Sequence, residues 1–245
     1  MKAVVLAGGK GARLAPYTRV FPKPMMPIGD KAILEILLMQ MRRAGVTDVT
    51  LTVGHLAGLM RAFFQDGSQL GLKIGYSYEE HPLGTAGPLS LVEGLGDGTF
   101  LVTNGDVLTT LDIADLLAFH RAQGGIATIA THHRKVHIDL GVIEVNGDHS
   151  IKDYIEKPTI PYQVSMGLYV FEPRALEFIP RGQYLDFPDL IKILLANHER
   201  VVAYPFDGYW QDLGRPDDYE QANEDFERMR SQFLPEEEPW TGESH

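Results

Sequence analysis

MKAVVLAGGKGARLAPYTRVFPKPMMPIGD, residues 1–30, is the stretch that decides how this chain is read. Ala3 to Ala7 is an apolar run of the kind a buried parallel strand carries. Gly8, Gly9 and Gly11 follow at once. Glycine permits positive φ and lets backbone N–H groups come close to a ligand, and consecutive N–H groups in a turn form a concave site for an anion. Arg13 adds a cation. Lys23 adds a second, pinned between Pro22 and Pro24, whose rings fix φ on both sides. Strand, glycine turn, arginine and pinned lysine together predict a holder for a polyphosphate. The spacing is not G-x-G-x-x-G, because Ala12, Arg13 and Leu14 follow Gly11. It is not a Walker loop either, because Lys10 precedes Gly11 and no Ser or Thr follows.

The rest of the chain sets the frame around this turn. It has 245 residues, 44% of them hydrophobic, a net charge of −11 and no cysteine. The absence of cysteine removes disulfides, thiolate metal sites and thiol nucleophiles. No window carries the ~18 apolar residues of a membrane span, and Ala3 to Ala7 is too short for the core of a signal peptide. The sequence therefore reads as cytoplasmic, with no membrane partner. The acidity argues against nucleic acid as a partner and requires that cations for a phosphate ligand be gathered locally. Oligomeric state stays open, a homo-oligomer included.

Apolar runs and helical periodicities alternate through the first half. Strands are expected at Val49–Val53, Lys73–Tyr78, Phe100–Thr103 and Ala127–Thr131. Helices are expected at Ile33–Ala44, Leu56–Phe64, Gly87–Leu95 and Ile113–Gln123. This alternation predicts βαβ units, a mostly parallel central sheet and helices on both faces. The expected fold is thus α/β and Rossmann-like. Gly141–Val145, Ile151–Ile155 and Val164–Phe171 predict a small antiparallel extension, and helices at Asp186–Asn197 and Pro216–Met229 close the chain. Residues 1–232 read as one continuous domain of two lobes. Residues 233–245, with Glu236, Glu237 and Glu238, read as a disordered acidic tail.

The glycine turn with Arg13-Leu14, and Pro22-Lys23-Pro24 after it, resemble the signature of the sugar-1-phosphate nucleotidylyltransferases, and the resemblance continues in order to about Tyr219. It implies a reaction in which a sugar 1-phosphate attacks the α-phosphorus of a nucleoside triphosphate, giving an NDP-sugar and pyrophosphate. It implies nucleotide contacts from Leu6, Ala7, Gly8, Gly9, Gly11, Thr85 and Gly87, with Arg13, Lys23 and Asp106 as the catalytic set. Taken alone, Asp106 in Asn104-Gly105-Asp106 and Asp212 in Trp210-Gln211-Asp212 could be plain turn residues. The resemblance pairs them as ligands of Mg²⁺, which favours one or two carboxylates plus substrate phosphates.

Leu83-Gly84-Thr85-Ala86-Gly87 looks like the family's segment beside the nucleoside, and the form with Pro88-Leu89 is most similar to mannose-1-phosphate guanylyltransferases. GTP with mannose 1-phosphate is therefore the expected pair, with UTP or dTTP and glucose 1-phosphate as the alternative. Glu156 and Lys157 match the residues that hold sugar hydroxyls and the sugar phosphate, and Gly141 is expected to leave room for the sugar ring. Ser165 stands where the family commonly has Asn, and Ala15 where many relatives carry Arg.

Two other readings compete. A metal-dependent glycosyltransferase would share the sheet but commonly carries Asp-x-Asp, where this chain has one aspartate. A regulatory subunit that binds sugar nucleotides should have lost some of the charged set, yet Arg13, Lys23, Asp106, Lys157 and Asp212 are all present. His132 and His133, as neighbours on a strand, face opposite ways and are expected to be packed or solvated. Phe63-Phe64 and Met25-Met26 are expected in the core.

Overall fold

The computed structural model describes residues 1–9 and 11–235. The strands in chain order are β1 (Lys2–Leu6), β2 (Pro27–Ile28), β3 (Lys31–Ala32), β4 (Asp48–Val53), β5 (Lys73–Tyr78), β6 (Phe100–Asn104), β7 (Val107–Thr109), β8 (Ala127–His137), β9 (Val142–Val145), β10 (Ile151–Ile155), β11 (Thr159–Phe171), β12 (Val201–Phe206) and β13 (Trp210–Asp212). The α-helices are α1 (Ile33–Arg43), α2 (Ala57–Phe64), α3 (Ile113–Gln123), α4 (Phe187–Ala196) and α5 (Pro216–Phe233).

Seven strands form the main sheet in the order β12-β8-β11-β6-β1-β4-β5. β5, β4, β1 and β6 run parallel, β11 is antiparallel to both its neighbours, and β12 pairs parallel with β8. The expected mostly parallel sheet with an antiparallel extension is thus present. The extension is longer than the sequence implied. β8 and β11 stay paired as far as His137 and Thr159, beyond the apolar segments that predicted them. Polar residues such as His133, Arg134 and Lys135 carry no strand periodicity, but ladder hydrogen bonds to β11 hold them extended. β9 and β10 form a separate hairpin.

The alternation of β1 explains why the sheet is covered on both faces. Ala3 and Val5 pack with Leu34, Leu37, Leu38 and Met41 of α1, with Met60 and Phe64 of α2, and with Leu116 of α3. Val4 points to the opposite face, where Phe100, Val102 and Phe171 meet Phe187, Leu190 and Leu194 of α4. A third cluster joins the outer side of α1 to α5 through Ile33, Ile36, Ala222, Phe226 and Phe233.

Several expectations need correction. Gly87–Leu95 is not an α-helix: Gly87–Leu91 is a short 3₁₀ turn, and the chain is non-helical until Leu95. Gly87 and Pro88 supply neither the propensity nor the N–H for a regular helix. β12, β7 and β13 were not anticipated, being short or interrupted by Pro205. Phe64 is buried but Phe63 is half exposed, because neighbouring helical positions face different ways; Met25 and Met26 are both buried. The fold continues past residue 232, since Phe233 and Leu234 are buried against α1 and α5. The remainder of the expected tail, 236–245, lies outside the described residues. Among the described residues no helix is long and apolar enough to cross a membrane.

Candidate functional site

The two candidate loops meet because their strands are neighbours. Leu6 at the end of β1 lies opposite Asn104 at the end of β6, and the Gly105 N–H donates to the Leu6 carbonyl at 3.0 Å. Both loops therefore leave the carboxyl edge of a parallel sheet, where ligand crevices form. Gly11 turns the first loop at φ +58, with its own position tight against Thr18 and Lys23. The Thr18 hydroxyl donates to the Gly11 carbonyl at 2.8 Å and fixes the turn. A Cβ in that backbone conformation would be strained.

Leu6, Ala7, Gly9, Gly11, Arg13, Lys23, Asp106 and Gly214 line one cleft of about 300 Å³. Lys23 is buried, and its ammonium donates to Asp106 Oδ2. The same Nζ lies 3.7 Å from Asp212 Oδ1. β13 pairs with β7 so that Asp212 stands opposite Val107, which is what carries Asp212 to Asp106. The exposed guanidinium of Arg13 lies over Gly214, where a Cβ would come within 3.1 Å of Nη1.

The donor set around Lys23 suits a hard cation: Asp106 in the turn between β6 and β7 and Asp212 at the end of β13, both partly open to solvent. Among the described residues no group of three or more His, Cys, Asp or Glu is placed to hold a metal. A cation between Asp106 and Asp212 would therefore need oxygens from a bound phosphate to complete its shell, the usual pattern for Mg²⁺.

Thr85 and Gly87 are not among the residues that line the Lys23 cleft; they lie on a loop that is tied to the segment before α4. The Thr85 N–H and hydroxyl both donate to Asp186 Oδ1, at 2.9 and 3.1 Å. The Thr85 oxygen accepts the Phe187 N–H at 2.8 Å. Tyr184 donates to the other Asp186 oxygen at 2.6 Å, and Leu185 accepts the N–H groups of Ala86 and Gly87. The Thr85 side chain is thus engaged in holding the loop rather than free for a ligand. The Tyr184 hydrogen bond chiefly holds the Asp186 carboxyl below the usual carboxylate range, with partial burial opposing it and Thr85 adding to the effect.

Gly141, Glu156 and Lys157 do not line the Lys23 cleft; they form a second group beside the β9–β10 hairpin. The room above Gly141, expected for a sugar ring, holds the Tyr154 hydroxyl, which donates to Glu156 Oε2 at 3.1 Å. Lys157 sits at φ +43 with its ammonium 3.0 Å from Asp139. Ser165 donates to the Tyr169 hydroxyl at 3.1 Å and accepts the Gly167 N–H at 3.3 Å, within a bulge of β11. His132 is half-buried, its Nδ1 2.9 Å from the Phe206 carbonyl and its ring against Trp210. His133 is exposed and 2.9 Å from Asp207. The expected split between the two histidines is present.

Glu79, Tyr154 and Asp186 were missed in the sequence. Glu79 Oε2 accepts the Leu83 N–H at 3.0 Å, and Oε1 faces Gly8 at 3.0 Å from where a Cβ would be. Its position directly after β5, at the carboxyl end of a third parallel strand, was the available signal. Asp186 reads as a cap for α4, but its side chain caps no N–H of that helix.

Residues 2–229 match the family described as nucleotidyl transferase. A UTP–glucose-1-phosphate uridylyltransferase of Synechocystis sp. is 35% identical over 241 residues, covering 91% of this chain and 62% of the relative. A mannose-1-phosphate guanylyltransferase of Mycobacterium tuberculosis is 37% identical over 231 residues, covering 92% of this chain and 64% of the relative. The chain thus spans less than two thirds of the length of these curated relatives. In fold it is similar to HddC from Yersinia pseudotuberculosis complexed with GMP-PN (TM-score 0.68, 24% identity, covering 92% of this chain and 99% of that one). It is also similar to a UDP-glucose pyrophosphorylase complexed with UDP-glucose (TM-score 0.71, 21% identity, covering 93% and 98%). With the glycine turn, Arg13 and Lys23 set at the carboxyl edge of the sheet and the match running through nearly the whole chain, the protein belongs to the nucleotidyl transferase family.

Proposed function

We propose that the protein transfers a nucleotidyl group from a nucleoside triphosphate to a sugar 1-phosphate. The observation that carries this reading is the single cleft in which Arg13, Lys23 and Asp106 meet beside the glycine turn, with Asp212 3.7 Å from Lys23 Nζ. A sugar 1-phosphate oxygen attacks the α-phosphorus, the bond to the bridging α–β oxygen breaks, and pyrophosphate leaves. The attacking phosphate is ionised near neutrality and needs no general base. The task left to the protein is to bring two polyanions into line and to offset charge as it develops. The glycine turn binds phosphate oxygens through its N–H groups. Lys23 is held at the cleft floor by Asp106, ready to exchange a carboxylate oxygen for one on the α-phosphate. Arg13 faces the departing phosphates. When bound between Asp106 and Asp212, Mg²⁺ supplies further neutralisation of that leaving charge. Lys157, released from Asp139, carries the attacking phosphate, and Glu156 orients a sugar hydroxyl.

The base is read as guanine. Glu79 lies between the Gly8 turn and the loop at Leu83, and a carboxylate there can accept the N1–H and N2–H groups that guanine presents and adenine lacks. The mannose-1-phosphate guanylyltransferase relative supports GTP with mannose 1-phosphate, and the uridylyltransferase relative favours UTP with glucose 1-phosphate as the second reading. Pyrophosphate release measured for GTP, ATP, UTP, CTP and dTTP against mannose 1-phosphate and glucose 1-phosphate tests both. GTP should exceed ATP in kcat/KM by at least ~10-fold. A preference for UTP or dTTP sinks the guanine reading alone, and no product with any pair sinks the transfer reading.

A further inference from the structure

Gln40 is the one polar side chain among the residues that α1 buries, in the company of Ile33, Leu34, Ile36, Leu37, Leu38 and Met41. It is 7% exposed. A buried amide without partners costs stability, and this one has two. Its Nε2 donates to the Thr109 carbonyl at 2.8 Å and to the Phe233 carbonyl at 3.2 Å. Both carbonyls sit at element ends: Thr109 closes β7 and Phe233 closes α5. The last carbonyls of a helix have no acceptable N–H within their own helix. A Leu or Met would fill the same space on this apolar face. The amide adds a tie between three elements.

The contacts continue as a ring. Thr109 is buried, and its hydroxyl donates to the Tyr209 carbonyl at 2.8 Å. The Thr110 N–H donates to the same carbonyl at 3.0 Å, and the Tyr209 N–H donates back to the Thr110 hydroxyl at 3.1 Å. The Tyr209 ring then stands edge-on to Phe233, with centroids 5.3 Å apart. The path so returns to the residue whose carbonyl Gln40 holds.

This ring lies behind the carboxylate pair. Asp106 immediately precedes β7 and Asp212 ends β13, and the strands pair from Thr109 with Trp210 at one end to Val107 with Asp212 at the other. At about 3.3 Å per residue, the ring stands about 10 Å from the carboxylates. Trp210 adds an anchor at the same end, where its Nε1 donates to the Met166 carbonyl at 3.0 Å. At the carboxylate end the ladder gives way to a longer contact, the Leu213 N–H to the Asp106 carbonyl at 3.5 Å. So short a ladder, gripped at one end, acts as a lever. What fixes Thr109 and Tyr209 fixes the separation and aim of Asp106 and Asp212.

Resting on the metal-pair reading above, we propose that Gln40 is a positioning residue for Asp106 and Asp212, setting their spacing through the β7–β13 ladder and coupling it to the end of α5. Mg²⁺ demands near-ideal geometry, so a small shift of the ladder is felt as lost cation affinity.

The test uses the full chain with Gln40→Met, which keeps length and helix propensity while removing both donors. Thr109→Val, which removes the hydroxyl bond to Tyr209, is the second variant should the first fail to fold. Leu194→Ala on α4 is the control: it truncates a core side chain remote from the ladder. Mn²⁺ binding is followed by electron paramagnetic resonance, with GTP below the protein concentration and no sugar phosphate, so no turnover is needed. Either ladder variant should weaken Mn²⁺ binding at least ~5-fold, less than the 10–100-fold typical of a group that touches a metal ligand. The control should stay within about twofold even though its melting temperature falls. In kinetics, the Mg²⁺ requirement should rise while the KM for mannose 1-phosphate changes little. Wild-type Mn²⁺ affinity in the folded ladder variants overturns the proposal, as does equal weakening in Leu194→Ala. A wild type that binds no Mn²⁺ overturns it together with the metal pair. Weakened Mn²⁺ binding in the ladder variants alone, in a protein whose wild type forms no NDP-sugar, upholds the positioning role and rejects the transfer reading.

Discussion

The ammonium of Lys23 stands 3.7 Å from Asp212 Oδ1 while it donates to Asp106, so one buried cation bridges a carboxylate in the turn between β6 and β7 and one at the end of β13. This arrangement couples the glycine turn to the proposed metal pair. Lys23→Met should abolish turnover and also leave Asp106 facing Asp212 uncompensated. Removing one partner of a largely buried pair costs about 3–5 kcal/mol; Asp106 and Asp212 remain partly open to solvent, so a smaller loss, about 1–3 kcal/mol, is expected from urea unfolding. Stability equal to wild type would mean that the bridge is not formed in solution.

Asp106→Asn and Asp212→Asn should each raise the Mg²⁺ concentration needed for half-maximal rate by at least ~10-fold. Mn²⁺ binding followed by electron paramagnetic resonance in the presence of GTP gives a readout independent of rate. Wild-type Mn²⁺ affinity in both variants would reject these carboxylates as ligands.

The Asp186 clamp predicts a split between substrates. Asp186→Ala removes the acceptor for both the Thr85 N–H and its hydroxyl, and so loosens the loop, leaving the Leu185 carbonyl to hold Ala86 and Gly87. The KM for the nucleoside triphosphate should rise by roughly ten- to a hundred-fold, the range expected when charge-assisted hydrogen bonds are lost. The KM for the sugar phosphate should change little. A rise in the sugar-phosphate KM alone would place the loop on the other substrate.

Tyr154 fills the space that a side chain at Gly141 would need. Gly141→Ala should therefore displace the Tyr154 hydroxyl from Glu156 and raise the KM for the sugar phosphate. In a Tyr154→Ala background the same substitution should cost much less, because the clash is gone. Additive effects in this double-mutant cycle would show that the two positions act independently.

Acid sensitivity should come in part from Glu172, beside the buried ring of His120. Its Nε2 is 2.9 Å from Glu172 Oε1, and Thr99 donates to the same oxygen at 2.7 Å. Partial burial raises the Glu172 pKa, but the hydrogen bonds from His120 and Thr99, with the attraction of His120, outweigh it and leave the carboxyl below its ordinary value. A depressed carboxylate contributes stability above its unfolded-state pKa and loses it as pH falls through the folded value. Urea midpoints should therefore fall more steeply with acid for wild type than for Glu172→Gln, across and below the ordinary glutamate range. Parallel curves for the two proteins would remove Glu172 from the acid response.

Much of this protein is set by local sequence. The alternation of apolar segments defines the parallel sheet, because a strand buried on both faces, such as Ala3-Val4-Val5, has to be apolar throughout. Gly11, Arg13 and the Pro22-Lys23-Pro24 pin mark the glycine turn proposed to hold phosphate, where a Cβ at φ +58 would meet Thr18. Tertiary structure alone decided the partners. Asp212 reaches Lys23 because β13 pairs with β7, two short strands far apart in the chain. Thr85 turned out to be held by Asp186 because the loop docks on the segment before α4, and the room expected above Gly141 went to Tyr154. Arg134 and Lys135 lie in β8 because ladder hydrogen bonds to β11 keep polar residues extended where no periodicity foretells a strand. Periodicity reports which face of an element is buried. Which charged groups share a cleft depends on strand order and register, and those are fixed by contacts between segments distant in sequence.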